Sequence, residues 1–255
     1  MNTMFADIDS WLVALALGLA MFAAWEFGRW HGRRLRIKSG EVPVSKFEDA
    51  SLALLSLLLG FTFSMAIVKH DQRRLMVVAD SNAIGDFYTC ASLLKEPVRT
   101  KLQAVIRDYT RLRLEVSRRT LDEATIENAL RQMQQMQDQM TVLVDQALLA
   151  GTPIAVTLTN TLNAVTSNHA ARLAAARDRL PASVVMLLLI SAVVSSMLVG
   201  REREASDRAD IAGTVSFIVL VSFAIYVILD LNQPKRGLIT VSQEPIQRLL
   251  SSMVK

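Results

Sequence analysis

Four long apolar stretches constrain the fold of this chain more than any other feature of its sequence. They are residues 11–27, 50–68, 182–200 and 211–229. A helix of about 19 residues rises about 28 Å, close to the roughly 30 Å hydrocarbon core of a bilayer. A chain of 255 residues is too short to enclose all four in a soluble polar shell. The sequence therefore predicts four membrane-spanning helices, with both termini on the same side.

The composition favours helices over strands. Hydrophobic residues make up 51% of the chain but aromatic residues only 6%, and Gly 10 with Pro 6 leaves few turn formers for an all-β fold. We expect an all-α, four-span transmembrane helical protein with a helical-bundle domain inserted between spans 2 and 3. The predicted parts are spans 1 and 2 with a basic loop (1–68), an extramembrane helical bundle (69–181), spans 3 and 4 (182–229) and a patterned C-terminal tail (230–255).

The insert itself predicts further helices. Pro97 ends a helix that continues from span 2, because a proline disfavours helical geometry in the residue before it. Thr120 to Glu123 forms a capping box that predicts the start of another helix. Methionines recur along one face of that helix, which indicates that this face packs against other helices. Glutamines alternate with them and indicate a face that is either solvated or in contact with another subunit. Pro153 precedes a fourth helix of the insert, and Pro245 begins a short amphipathic helix in the tail.

Basic residues suggest an orientation. The loop between spans 1 and 2 is rich in Lys and Arg, whereas no Lys or Arg precedes span 1. The positive-inside rule then places this loop in the cytoplasm, and the N-terminus and helical domain outside it. Basic residues directly after spans 2 and 4 argue for the opposite orientation, so both placements stay open. The net charge of +4 fits lipid headgroups, and no nucleic-acid partner is predicted.

Span 2 carries the residues of greatest functional interest. Ser56, Gly60 and Ser64 recur at intervals of four, which places three small residues on one helix face. Such a face allows close helix packing, or hydroxyl groups on it can solvate a passing ion. The predicted pore-lining or ion-attracting residues are Ser56, Gly60, Thr62, Ser64, Arg73, Arg74, Asn82, Lys235 and Arg236.

No constellation of residues predicts catalysis. His31, His70 and His169 are far apart and form no i, i+4 pair, and the single Cys90 excludes an internal disulfide. Phosphate-binding loops, dinucleotide-binding glycine motifs and nucleophile elbows are also missing from the sequence. We therefore predict a protein that is not an enzyme and has no catalytic residues, metal site or cofactor.

Several segments in order carry a family resemblance. They are residues 52–68 running into Lys69-His-Asp-Gln-Arg-Arg74, then residues 82–85, 93–97 and 230–245. Together they resemble the bestrophin-like domain family of bacterial integral membrane proteins, which has no assigned function and is distantly similar to bestrophin anion channels. The resemblance covers nearly the whole chain. It implies oligomers with four membrane helices per subunit and a helical domain between the second and third.

The chain also departs from true bestrophins. Span 2 has only Phe61 and Phe63 where bestrophins have an aromatic-rich pore neck, and no acidic calcium-clasp cluster is present. Calcium gating is therefore not implied. Bestrophins place their helical insert in the cytoplasm, which conflicts with the orientation derived from the basic loop.

Two functions follow from these observations. The first is an oligomeric ion channel of bestrophin-like type, for anions, in the bacterial inner (plasma) membrane as a multi-pass protein. The second is a non-conducting membrane sensor or scaffold whose helical domain binds a partner. Predicted partners are the lipid bilayer, further copies of the chain and an inorganic anion.

Overall fold

The regular structure of the chain is helical throughout the part that the structure describes. The computed structural model describes residues 9–39, 46–118, 123–205, 211–233 and 237–254. The helices are α1 (Ser10–Ser39), α2 (Phe47–Ser92), α3 (Val98–Arg118), α4 (Glu123–Leu149), α5 (Ala155–Arg177), α6 (Ala182–Ala205), α7 (Ile211–Asn232) and α8 (Glu244–Ser252). The predicted all-α fold is confirmed. The predicted capping box at Thr120 begins outside the described residues.

Four helical segments are long and apolar enough to cross a membrane. They are Ser10–Arg34, Phe47–Ser92, Ala155–Arg201 and Ile211–Asn232. The second and third segments exceed the length of one span, and their long uncharged apolar stretches are residues 50–68 and 182–200. Residues 69–92 carry six charged side chains, and residues 155–177 carry two, Arg172 and Arg177. The four segments contain the four spans predicted from the sequence.

Contacts divide the chain into two compact units. Unit 1 comprises Met1–Lys69 and Arg179–Ile239, and unit 2 comprises His70–Asp178 and Thr240–Lys255. The long helix α2 contributes its first half to unit 1 and its second half to unit 2. The four-part division predicted from the sequence stays a prediction.

Unit 1 is built around the close packing of α1 against α6. A Cβ atom added at Gly28 would lie 2.1 Å from the carbonyl oxygen of Met197, and one at Gly200 would lie 2.2 Å from that of Trp25. Only glycine fits at these positions, because the two backbones approach more closely than any side chain allows. Ser196 of α6 also donates a hydrogen bond of 2.8 Å to the carbonyl oxygen of Met21 in α1.

Unit 2 has a core of its own, formed by the second half of α2 with α3, α4, α5 and α8. Its largest fully buried side chains include Phe87, Tyr109 and Met133. Apolar residues recur along α3 at spacings of three and four, which predicts a buried stripe, and its members Leu102, Ile106 and Tyr109 lie in this core. The methionine stripe of α4 lies there as well. The α4 methionines fill the interior, where their flexible side chains adapt to irregular gaps.

Candidate functional site

The small-residue face of α2 is open in unit 1. Ser56, Gly60 and Ser64 are all exposed, and a Cβ atom added at Gly60 would meet no other atom within 4 Å. The Ser56 hydroxyl donates a 2.8 Å hydrogen bond to the carbonyl oxygen of Leu52, one turn back on the same helix. The structure therefore brings these three predicted residues together on one face. That face packs against no other described part of the chain at Gly60.

Helix α2 is also the least buried of the four membrane-spanning candidates. Only 17% of its apolar window is buried, against 28%, 33% and 28% for the others. Large side chains such as Leu57 and Phe61 are exposed on it. Thr62 behaves differently, since it is buried and its hydroxyl donates to the carbonyl oxygen of Leu58 at 2.7 Å. Thr62 therefore does not join the open face.

The basic pair after span 2 separates in the structure. Arg73 is buried within unit 2, where its Nε donates to the carbonyl oxygen of Ala175 at 3.2 Å and its Nη2 to that of Asp178 at 2.7 Å. These carbonyls end helix α5, where a cation is stabilised by the helix dipole. Arg74 is exposed. The two arginines therefore have different surroundings despite being adjacent.

Asn82 lies at a polar pocket on unit 2. The pocket has a volume of about 510 Å³ and is lined by side chains of α2 and α8, including Asn82, Asp86, Arg248 and Ser252. Its lining carries one acidic and one basic side chain, two serine hydroxyls and one asparagine amide. The two remaining predicted residues, Lys235 and Arg236, lie outside the described residues.

A buried charge cluster in unit 2 was not predicted from the sequence. The carboxylate of Asp80 is fully buried, and its Oδ2 accepts hydrogen bonds from Nε of Arg113 and Nη1 of Arg172, both at 2.8 Å. Arg172 also donates to the Ser117 hydroxyl at 2.9 Å and to Oε1 of Gln243 at 2.6 Å. Asp80 of α2 thus binds side chains of α3 and α5. Through its bond to Gln243, Arg172 also connects this cluster to the segment that precedes α8.

His169 and Tyr109 complete this cluster. Nδ1 of His169 contacts Nη1 of Arg113, and it lies 3.1 Å from the Tyr109 hydroxyl, which accepts a 3.2 Å hydrogen bond from Nε2 of Gln137. Burial, aided by the charge of Arg113, lowers the pKa of His169 from 6.5 to about 4. Burial likewise raises the pKa of Tyr109. His169 is therefore neutral near pH 7, with Nδ1 as the acceptor, since a guanidinium can only donate.

The charges of the cluster do not cancel. Two arginines face one aspartate while His169 is neutral, so the cluster carries a net charge of about +1 in the interior of unit 2. Arg172 donates hydrogen bonds to the neutral oxygens of Ser117 and Gln243, and these bonds stabilise the excess positive charge. A sequence signal does exist, because Arg113 lies at an apolar-stripe position of α3, four residues after Tyr109. A charge in such a stripe requires a buried partner.

The end of span 4 forms a compact turn around one carboxylate. Asp230 is buried, and its Oδ2 accepts hydrogen bonds from the backbone nitrogens of Leu238 at 3.0 Å and Ile239 at 2.8 Å. Gly237 has a φ of 116°, and a Cβ atom there would lie 2.1 Å from Oδ1 of Asp230. The Asp and Gly of the C-terminal pattern therefore act together to turn the chain.

The comparisons with known proteins identify the family. A model of the Bestrophin-like domain matches residues 14–246. The chain belongs to the Bestrophin-like family. No curated protein and no solved structure matches it. The match begins inside α1, contains α2 to α7 and reaches Ile246 in α8. The open face of α2, the charge cluster and the Asp230 turn therefore all lie inside the Bestrophin-like region.

Proposed function

We propose that this Bestrophin-like membrane protein is an oligomeric anion channel of the bacterial inner membrane, with α2 of each subunit lining a central axis. The observation that carries the proposal is the open face of α2. A Cβ atom added at Gly60 would meet no atom of another element within 4 Å. Gly60 lies between two exposed serines, and its helix is the least buried of the four candidates.

Lipid is a poor neighbour for such a face. Lipid chains make no hydrogen bonds to serine hydroxyls, and a glycine leaves a groove in the helix surface that favours another helix or a narrow aqueous path. Two or more copies arranged around an axis would turn Ser56, Gly60 and Ser64 towards one another. A hydroxyl group that rotates away from its helix carbonyl, as Ser56 would from Leu52, can donate to an anion and replace part of its hydration shell without the cost of an intramembrane charge.

Basic residues beyond the span support anions as the permeant species. Arg74 is exposed, so its guanidinium can raise the local concentration of anions at one mouth of the path. Lys235 and Arg236 are proposed to act in the same way beyond span 4. Arg73 has a structural part in this scheme, since its guanidinium binds the carbonyl oxygens that end α5.

The pocket at Asn82 favours a second candidate, a non-conducting sensor. Its volume of about 510 Å³ suits a small molecule, and Asp86 and Arg248 supply charges of both signs. In that case unit 2 binds a small polar ligand, and the membrane-spanning helices anchor it. Binding of a ligand at this pocket without ion flux would favour the sensor.

Chloride flux into liposomes tests the channel. Gly60→Leu should block flux without preventing assembly, because the added side chain fills the axis. Ala212→Leu, which places the same leucine side chain at an exposed position of α7, serves as the control and should conduct like the wild type. Arg74→Glu should lower the preference for anions over cations. The channel is wrong if wild-type protein gives no flux above empty liposomes across pH, calcium and voltage.

A further inference from the structure

Helix α4 carries an exposed seam without charged residues. Its members follow one another at alternating intervals of three and four, and all are exposed. They are Gln132, Gln135, Gln139, Val142, Gln146 and Leu149. We call this set the glutamine seam. Its two apolar members are strongly exposed, Val142 by 56% and Leu149 by 82%.

A solvated helix surface does not account for this pattern. The exposed residues of the neighbouring helix α3 are mostly charged, for example Arg99, Asp108, Arg111 and Glu115. The glutamine side chains of the seam make no hydrogen bond to other described residues. An average spacing of 3.5 residues is the repeat with which one helix packs along another in a coiled coil. The seam therefore has the spacing of a helix contact, but no helix among the described residues packs against it.

A groove lies over the middle of the seam. Its volume is about 570 Å³, and it is lined by Lys101, Ala104 and Val105 of α3 and by Asp138, Gln139, Val142 and Leu143 of α4. Each residue turns an α-helix by about 100°, so Asp138 and Leu143 lie on opposite flanks of Gln139. Leu143 packs towards the core on the flank of α3. The groove thus has Asp138 of α4 at one edge of the seam and Lys101 of α3 at the other.

We propose that the glutamine seam binds the same seam of a second copy of this chain, with the two α4 helices parallel. In a parallel pair each flank faces the opposite flank of the partner, so Asp138 meets the partner's Lys101. In an antiparallel pair each flank would instead face the same flank of the partner, so Asp138 would face the side that carries the partner's Asp138. Glutamine amides both donate and accept hydrogen bonds, so identical residues satisfy each other without the cost of burying charge.

The proposal concerns assembly and rests on the self-association that the proposed channel requires. A contact between identical seams of two parallel helices closes a two-fold pair, so the seam fits a channel whose subunits associate in pairs. It does not depend on conduction. A seam of amides with two apolar residues binds less strongly than a leucine seam, and in coiled coils polar seam residues determine register and number of strands. The glutamine seam therefore selects how neighbouring copies align.

Disulfide cross-linking of the full chain in mild detergent tests the alignment. Gln132→Cys, Gln139→Cys and Gln146→Cys are made one at a time in a Cys90→Ala background, and each is oxidised with copper–phenanthroline. Gln134→Cys is the matched control, because Gln134 is an exposed glutamine of the same helix that lies off the seam. Residues 132 and 146 are about 21 Å apart along the helix, so only a parallel pair links identical residues at both.

The expected result is disulfide-linked dimers at all three seam positions, several-fold above the Gln134→Cys control. Cross-linking at Gln139→Cys alone would overturn the parallel seam in favour of crossing helices. Oligomers in native mass spectrometry with seam cross-linking no higher than the control would overturn the seam and leave the proposed channel intact. Monomers at all concentrations would contradict both the seam and the channel.

Discussion

Nε of Arg113 donates a 2.8 Å hydrogen bond to Oδ2 of Asp80, and both side chains are buried. This contact joins α3 to α2 in the interior of unit 2. Removing one member of a buried pair leaves an uncompensated charge, which typically costs about 3–5 kcal/mol. The pair is therefore a sensitive point for the stability of unit 2.

Asp80→Ala should destabilise the protein severely, because two arginines would remain buried without their carboxylate. We expect a loss of folded protein in detergent, or a fall in the thermal unfolding midpoint of ten degrees or more. Asp86→Ala is the control, since Asp86 is an exposed aspartate of the same helix. Equal unfolding midpoints for the two variants would contradict the role assigned to Asp80.

His169 should make stability depend on pH in the acidic range. Burial, with the charge of Arg113, holds its pKa at about 4 in the folded protein, below the ordinary value of 6.5. The unfolded chain therefore binds this proton first, and stability should fall as the pH drops from about 6.5 towards 4. The thermal midpoint of wild type and His169→Gln, measured from pH 7.5 to 4, checks this. The variant should lose less stability than wild type over that range.

Gly237→Ala should destabilise the turn after span 4. Gly237 and Gly151 both have positive φ angles, of 116° and 72°, but only at Gly237 would a Cβ atom collide, at 2.1 Å from Oδ1 of Asp230. Gly151→Ala meets no atom within 4 Å and should cost only about 1 kcal/mol of backbone strain. We expect a clearly larger fall in the unfolding midpoint for Gly237→Ala. A larger fall in the unfolding midpoint for Gly151→Ala than for Gly237→Ala would contradict the role assigned to Gly237 beside Asp230.

Gly28→Val should prevent α1 from packing on α6. A Cβ atom at Gly28 would lie 2.1 Å from the carbonyl oxygen of Met197, which cannot move without separating the two helices. Gly60→Val adds the same side chain to an open position, and it should fold normally. Yield of monodisperse protein by size-exclusion chromatography measures the difference. Comparable yields would show that the two helices do not pack this closely.

Reporter fusions at Gly40 and Gly151 test the orientation. The four-span topology places these positions on opposite sides of the membrane, and the basic loop places Gly40 in the cytoplasm. A phosphatase fusion should be active at Gly151 only, and a fluorescent protein that folds in the cytoplasm should be bright at Gly40 only. The same result at both positions would contradict the four-span topology. Phosphatase activity at Gly40 with fluorescence at Gly151 would show the opposite orientation, with the helical domain in the cytoplasm.

Periodicity alone determined the helices and their buried faces. The apolar spans, the stripe of α3 and the methionines of α4 could be predicted because each depends on residues three or four positions apart on one helix. Pro97 and Pro153 mark the helix boundaries for an equally local reason, since proline restricts its own φ angle and the residue before it. The Asp230 and Gly237 pattern was visible in the sequence, although its carboxylate-centred turn was not.

The tertiary structure alone decided which charges meet. Asp80, Arg113 and Arg172 lie on three different helices, and no periodicity within one helix indicates that they share a buried site. Adjacent Arg73 and Arg74 are equivalent in the sequence, yet one binds the carbonyl oxygens that end α5 and the other is exposed. A helix repeat determines which face is apolar, but the partner of a buried charge depends on which other helix packs against that face.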